Sequence, residues 1–184
     1  MIYLLLITAA VAVISAVNVA LGAALWPTLG AAVLLTVAVI AIDGLFAAAI
    51  RRLPARWFRY DRRIFAVGRR EAALYRACRV AALDVIVPDL GCFTNFPKKH
   101  LLSPGDPAYT GRYLLESAYG IVIHAVNVLD GFLILLLLPD YTWSVALPVA
   151  LVNALLCLLP MLLLRSNFPR LVRLHRRNLQ RTEK

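Results

Sequence analysis

Four ionisable residues interrupt otherwise apolar runs of this chain: Asp43, Glu116, His124 and Asp130. A charge inside hydrocarbon is costly, so each is a candidate for function. His124 suits general-base work on a hydroxyl, because a buried imidazole is held in its neutral, proton-accepting form. A carboxylate, from Glu116 or Asp43, would orient that imidazole or the substrate. Glu116 and His124 are eight residues apart, about 12 Å along a helix axis, so they cannot touch along a straight helix. Each needs a partner from elsewhere. His100 precedes them in a loop and can fold back towards Glu116; in its Lys98-Lys99-His100 run it also reads as an ordinary solvated histidine.

Glu116, Gly120, His124, Asn127 and Gly131 follow i+3/i+4 spacing. They form one stripe of polar and small residues on a helix otherwise rich in Leu, Ile and Val. Such a stripe faces protein or a cavity rather than lipid, and packing alone is its plainer use. Asp43 reads as a site residue or a buried partner at similar depth, and Asp130 lies further out. Asn18 and Asn153 read as packing polars. Past the last apolar run stand Arg165, Asn167 and Arg170, whose guanidinium forks suit phosphate, although a simple basic anchor explains the same charge. No P-loop, GxGxxG, HExxH or GxSxG is present, and no His is followed at the fifth position by Asp. The three cysteines lack CxxC spacing and their odd number argues against a disulfide framework. No metal and no bound cofactor is expected.

The elements that hold these residues follow from the distribution of charge. The chain has 184 residues, is 61% hydrophobic and carries a formal charge of +10. No charged residue precedes Asp43. All twenty Lys and Arg fall in two blocks, Arg51 to Arg112 and Arg165 to Lys184. A nucleic-acid binder has no need of long uncharged runs; a polytopic membrane protein obeying the positive-inside rule has this pattern. Runs of roughly 20 apolar residues span a bilayer. Four such runs lie at about 2–25, 28–50, 114–138 and 142–164. Trp26-Pro27 and Pro139-Asp140-Tyr141 turn the two hairpins, with Trp26, Tyr141 and Trp143 in an outer aromatic belt and Trp57, Phe58 and Tyr60 in an inner one.

The expected fold is all-α: a single integral membrane domain over 1–184 with four transmembrane helices. Both termini, the basic loop 51–113 and the basic tail 165–184 would be cytoplasmic. The first run lacks a positive n-region and is long for a signal peptide, which favours retention. Within the loop, Ile64 to Val87 reads as an amphipathic helix on the anionic inner leaflet, with Leu74, Ala77, Ala81 and Val85 on its apolar face. Pro88 and Gly91 end it, and 92–112 reads as a folded loop.

Three short features together resemble a known family. His100-Leu101 precedes the third helix, Ile123-His124 follows Glu116 at eight positions, and Arg165-x-Asn167-x-Pro169-Arg170-Leu171 opens the tail. In this order they are similar to the glycosyl-4,4'-diaponeurosporenoate acyltransferases, small membrane proteins of bacterial carotenoid glycolipid synthesis. The likeness covers about 62–181; the first two helices share only hydrophobicity. Ser166 and Phe168 stand where the family carries an aromatic and a basic residue, and the third helix is more apolar, which leaves room for a different acceptor.

The resemblance implies an O-acyltransferase of the bacterial plasma membrane. It would move a fatty acyl group from acyl-CoA, or another donor, to a hydroxyl of a membrane glycolipid. His124, Glu116 and His100 would then be catalytic, and Asp43, Asn127, Arg165, Asn167 and Arg170 would bind substrate. The partners would be membrane lipids, the glycolipid acceptor and the acyl donor, with no nucleic acid. Four helices leave limited room for a closed cavity, which leaves scope for a homodimer. The contrasting reading is a non-catalytic lipid-binding or lipid-flipping subunit.

Overall fold

A computed structural model describes residues 2–85, 87 and 101–182. The described residues are all-helical, in the order α1 (Ile2–Ala20), α2 (Leu25–Arg51), α3 (Arg69–Ala77), α4 (Pro107–Asp130) and α5 (Leu147–Thr182), with short 3-10 turns and one π turn between them. Four stretches are long and apolar enough to cross a membrane: Ile2–Ala20, Leu25–Arg51, Pro107–Leu136 and Pro139–Thr182.

Local chemistry moves several boundaries from those expected. Helix α1 stops at Ala20 because Gly22, at φ +96°, turns the chain. The N–H of Gly22 donates to Val19 O and that of Ala23 to Asn18 O, a Schellman pair. Trp26-Pro27 therefore does not make the turn. Pro27 sits in the first turn of α2, where a missing N–H costs no helical bond. Helix α4 starts at Pro107, earlier than expected, because Asp106 Oδ1 accepts from the N–H of Ala108 at 2.8 Å and caps a proline-led first turn. The long amphipathic helix expected over 64–87 is not formed. Its span is split into a 3-10 turn at Arg63–Phe65, α3, and a second 3-10 stretch at Val80–Val85. Arg79, at φ +50°, makes the break after α3. The expected apolar face is nevertheless open, with Leu74 59% and Val85 80% exposed.

The chain divides into two compact units. The apolar unit comprises 1–51 and 123–158. Its core is Ile14, Ala32, Leu35, Val39, Ile134, Val145, Ala146, Val149 and Ala150. Small residues there let helices approach closely, as membrane helices require. Two prolines shape α5, Pro148 within this unit and Pro160 just past it. Pro148 has no N–H for the carbonyl of Ser144, and Pro160 none for that of Leu156. Helix α1 supplies the missing donors: Asn18 Nδ2 donates to Ser144 O at 2.9 Å, and Tyr3 Oη to Leu156 O at 3.2 Å.

The basic unit comprises 52–122 and 159–184 and contains every Lys and Arg except Arg51. It is held by aromatic and polar links. Phe58 stacks on Tyr119 at 4.0 Å, and Tyr119 Oη donates to Leu53 O at 2.9 Å. Phe65 stacks on the fully buried Phe168. Asn178 Nδ2 donates to Pro104 O at 2.8 Å.

Candidate functional site

Within the apolar unit the structure gathers polar groups from α2, α4 and α5. Asp43, half-buried on α2, is their hub. Asn153 Nδ2 donates to Asp43 Oδ1 and to Asn127 O, each at 3.3 Å. Asn127 Nδ2 lies 3.5 Å from Asp43 O. The Cys157 thiol donates to Asp43 Oδ2 at 3.5 Å. Asp130 is 6% exposed, and its carboxyl neighbours that of Asp43. The side-chain oxygen of Asn127 is buried without a hydrogen-bond partner among the described residues.

Backbone shape makes room for this cluster. A Cβ on Gly131 would lie 2.6 Å from Asn153 Nδ2 and 3.2 Å from Val39 Cγ2, so only glycine lets Asn153 reach across. Asn153 also borders an apolar cavity of about 30 Å³ with Val11, Thr36 and Val152. That space suits a water-sized group. His124 is half-buried on α4 in the same unit, one helical turn before Asn127. A carboxyl, two amides and a nearby imidazole can accept from and donate to the hydroxyls of one polar molecule.

The other sequence-derived residues fall elsewhere. Glu116 is half-buried on α4 within the basic unit. His100 lies outside the described residues. Arg165 makes a clamp: its Nε and Nη2 donate to the two oxygens of Glu71, and its Nη1 donates to Ile64 O at 2.7 Å. The Tyr75 hydroxyl donates to Glu71 as well. Hydrogen bonding from Arg165 holds the Glu71 carboxyl below its ordinary range. Burial, with Glu71 beside it, pushes Tyr75 up to about 12. The Arg165 guanidinium thus joins α5 to the loop, with its donors engaged by protein. Asn167 is half-buried and Arg170 is exposed on α5. Among the described residues no group of three His, Cys, Asp or Glu is placed to hold a metal.

Two residues go beyond the sequence reading. Asn153, taken for a packing polar, is the amide that links α4 and α5 to Asp43. Its signal was depth: it stands at the middle of the fourth apolar run. His175 is buried in the helical tail and hydrogen-bonded to Thr110. Phe168, Leu171, His175 and Asn178 share an i+3/i+4 stripe, which would have marked the tail as a packed helix.

No match was found among curated proteins or among solved structures. The profile described as glycosyl-4,4'-diaponeurosporenoate acyltransferase matches residues 54–177. That stretch takes in α3, most of α5 and all of α4, and so His124, Asn127, Asn153 and the Arg165–Glu71 clamp. The chain belongs to the glycosyl-4,4'-diaponeurosporenoate acyltransferase family.

Proposed function

We propose that the protein is a membrane O-acyltransferase that transfers a fatty acyl group from acyl-CoA, or another acyl donor, to a hydroxyl of a membrane glycolipid. The family name gives acyl transfer in carotenoid glycolipid synthesis. The observation that carries the reading is the hydrogen-bonded cluster of Asp43, Asn127 and Asn153 inside apolar helices, one turn from His124. Buried polar groups in membrane helices are expensive and mark substrate paths.

In this reading Asp43 and Asn127 hold the sugar hydroxyls. His124 takes the proton of the acceptor hydroxyl as its oxygen attacks the acyl carbonyl. The new C–O ester bond forms, the C–S bond of the thioester breaks, and the proton returns to the departing thiolate. Glu116 and His100 assist from the cytoplasmic side. Arg165, Asn167 and Arg170 line the donor's approach, with Arg165 acting through the loop it clamps. The exposed apolar residues of α3 and its following turn rest on the inner leaflet of the bacterial plasma membrane. Both termini are cytoplasmic, and a homodimer would enclose the acceptor more fully.

The test gives purified protein acyl-CoA and glycosylated carotenoid acceptors and follows the ester by mass spectrometry. His124→Ala should lower turnover by about 10²–10⁴-fold. Full turnover by His124→Ala would remove the base role. Absence of product, with an unchanged lipid profile in cells lacking the protein, would remove the enzyme reading itself.

A further inference from the structure

The basic unit contains a cavity of about 300 Å³. Arg56, Phe58, Arg59, Tyr60, Gly111 and His175 line it. Its volume is at the lower end for small-molecule sites, enough for a polar head group and too small for an acyl chain.

The imidazole is oriented by its neighbours. His175 Nδ1 lies 3.0 Å from Thr110 Oγ1. The Thr110 hydroxyl has one proton, which the carbonyls of Asp106 at 3.0 Å and Pro107 at 3.2 Å accept. With that single proton given to the backbone carbonyls, the ring proton sits on Nδ1 and the lone pair on Nε2. Tyr60 packs edge-on against the ring at 5.3 Å. Gly111 leaves space for it: a Cβ there would stand 3.2 Å from Cε1 of His175.

The rim is cationic. Arg59 donates Nε and Nη2 to Asp61, at 3.1 and 2.7 Å, which fixes the guanidinium and leaves Nη1 for another acceptor. Arg62 Nη2 donates to the carbonyl of Arg56 at 3.4 Å and brings a third guanidinium close by. Asp61 is the acid in this group. Paired guanidinium forks match phosphate oxygens, and an imidazole acceptor matches a hydroxyl or amine.

We propose that this cavity binds a phosphate ester, the head of the acyl donor, with Arg56 and Arg59 on the phosphate and His175 Nε2 accepting from a hydroxyl or amine of the same head. This rests on the acyl-transfer reading, whose donor it locates. Coenzyme A and a phospholipid head group both carry that chemistry, and the experiment separates them.

The full chain in dodecyl maltoside, a phosphate-free detergent, is titrated with coenzyme A and, separately, with short-chain phosphatidylglycerol. The double variant Arg56→Gln/Arg59→Gln should weaken binding by about 10- to 100-fold. Arg173→Gln, on the exposed side of α5, should leave it unchanged. Loss confined to coenzyme A identifies a soluble thioester donor; loss confined to phosphatidylglycerol identifies a lipid donor. Both support the site. Wild-type affinity of the double variant for both probes, or binding of neither probe by the wild type, overturns it. Acyl transfer is measured in parallel. Full transfer by the double variant, with unchanged KM for the donor, rejects the site and leaves the enzyme reading intact. Binding that depends on the arginines without any transfer by the wild type rejects the enzyme reading instead.

Discussion

Glu71 shows how one side chain can organise a loop. Its two oxygens take Arg165, and the Tyr75 hydroxyl completes the set. Because its carboxyl is held below the ordinary range, the clamp contributes stability that is fully present above the unfolded glutamate range. That stability is lost as pH falls through the depressed folded value. The melting temperature of the purified protein should therefore drop on acidification. In Glu71→Gln that component of the drop should vanish, with about 2 kcal/mol less stability at neutral pH. An identical acid profile in the variant would exclude the clamp as its source. From sequence, Arg165 looked like a phosphate ligand, because an arginine at a membrane boundary carries no mark of its partner. The acid that pairs with it is 94 residues away, beyond the reach of any spacing rule.

At the scale of elements, hydropathy exposed most of the architecture. Four long apolar runs and one proline-led hairpin were legible because membrane spans need length and apolarity alone. The ends were less legible, since a capping carboxylate at Asp106 and a left-handed glycine at Gly22 set them one turn or more away. The amphipathic helix failed for the same reason: periodicity marks a face but not the backbone break at Arg79. Two glycines, Gly44 on α2 and Gly131 just past α4, carry a contrast that thermal unfolding can check. Gly131→Ala would force Asn153 and Val39 aside and break the bonds to Asp43, at about 1–3 kcal/mol. Gly44→Ala, one residue from Asp43 and with nothing within 4 Å, should be neutral or stabilising by up to about 1 kcal/mol. Equal effects from the two would contradict the packing described.

For the whole molecule, the net charge is segregated along the fold. Every Lys and Arg but one lies in the basic unit, while the apolar unit places Asp43 in a hydrogen-bonded cluster beside Asp130. The stripe on α4 pointed towards that cluster through Asn127. It could not reveal Asn153 or Cys157, which join it from α5, because the crossing of helices is not written in one helix's period. The proposed orientation puts Cys78, an exposed free thiol, on the cytoplasmic side. In a Cys92→Ser background, with Cys157 buried, a membrane-impermeant maleimide should label inside-out vesicles and spare intact spheroplasts. The reverse pattern would invert the topology.

The two proline-freed carbonyls carry a consequence for biogenesis. Helix α1 precedes the other three spans in the chain, yet the acceptors for Asn18 and Tyr3 are Ser144 and Leu156, in the fourth. Until then Asn18 has only its own helix to bond, through Ile14 O. Two polar side chains of α1 thus reach their final partners only once the fourth span has arrived in register, which makes these two bonds a late check on assembly.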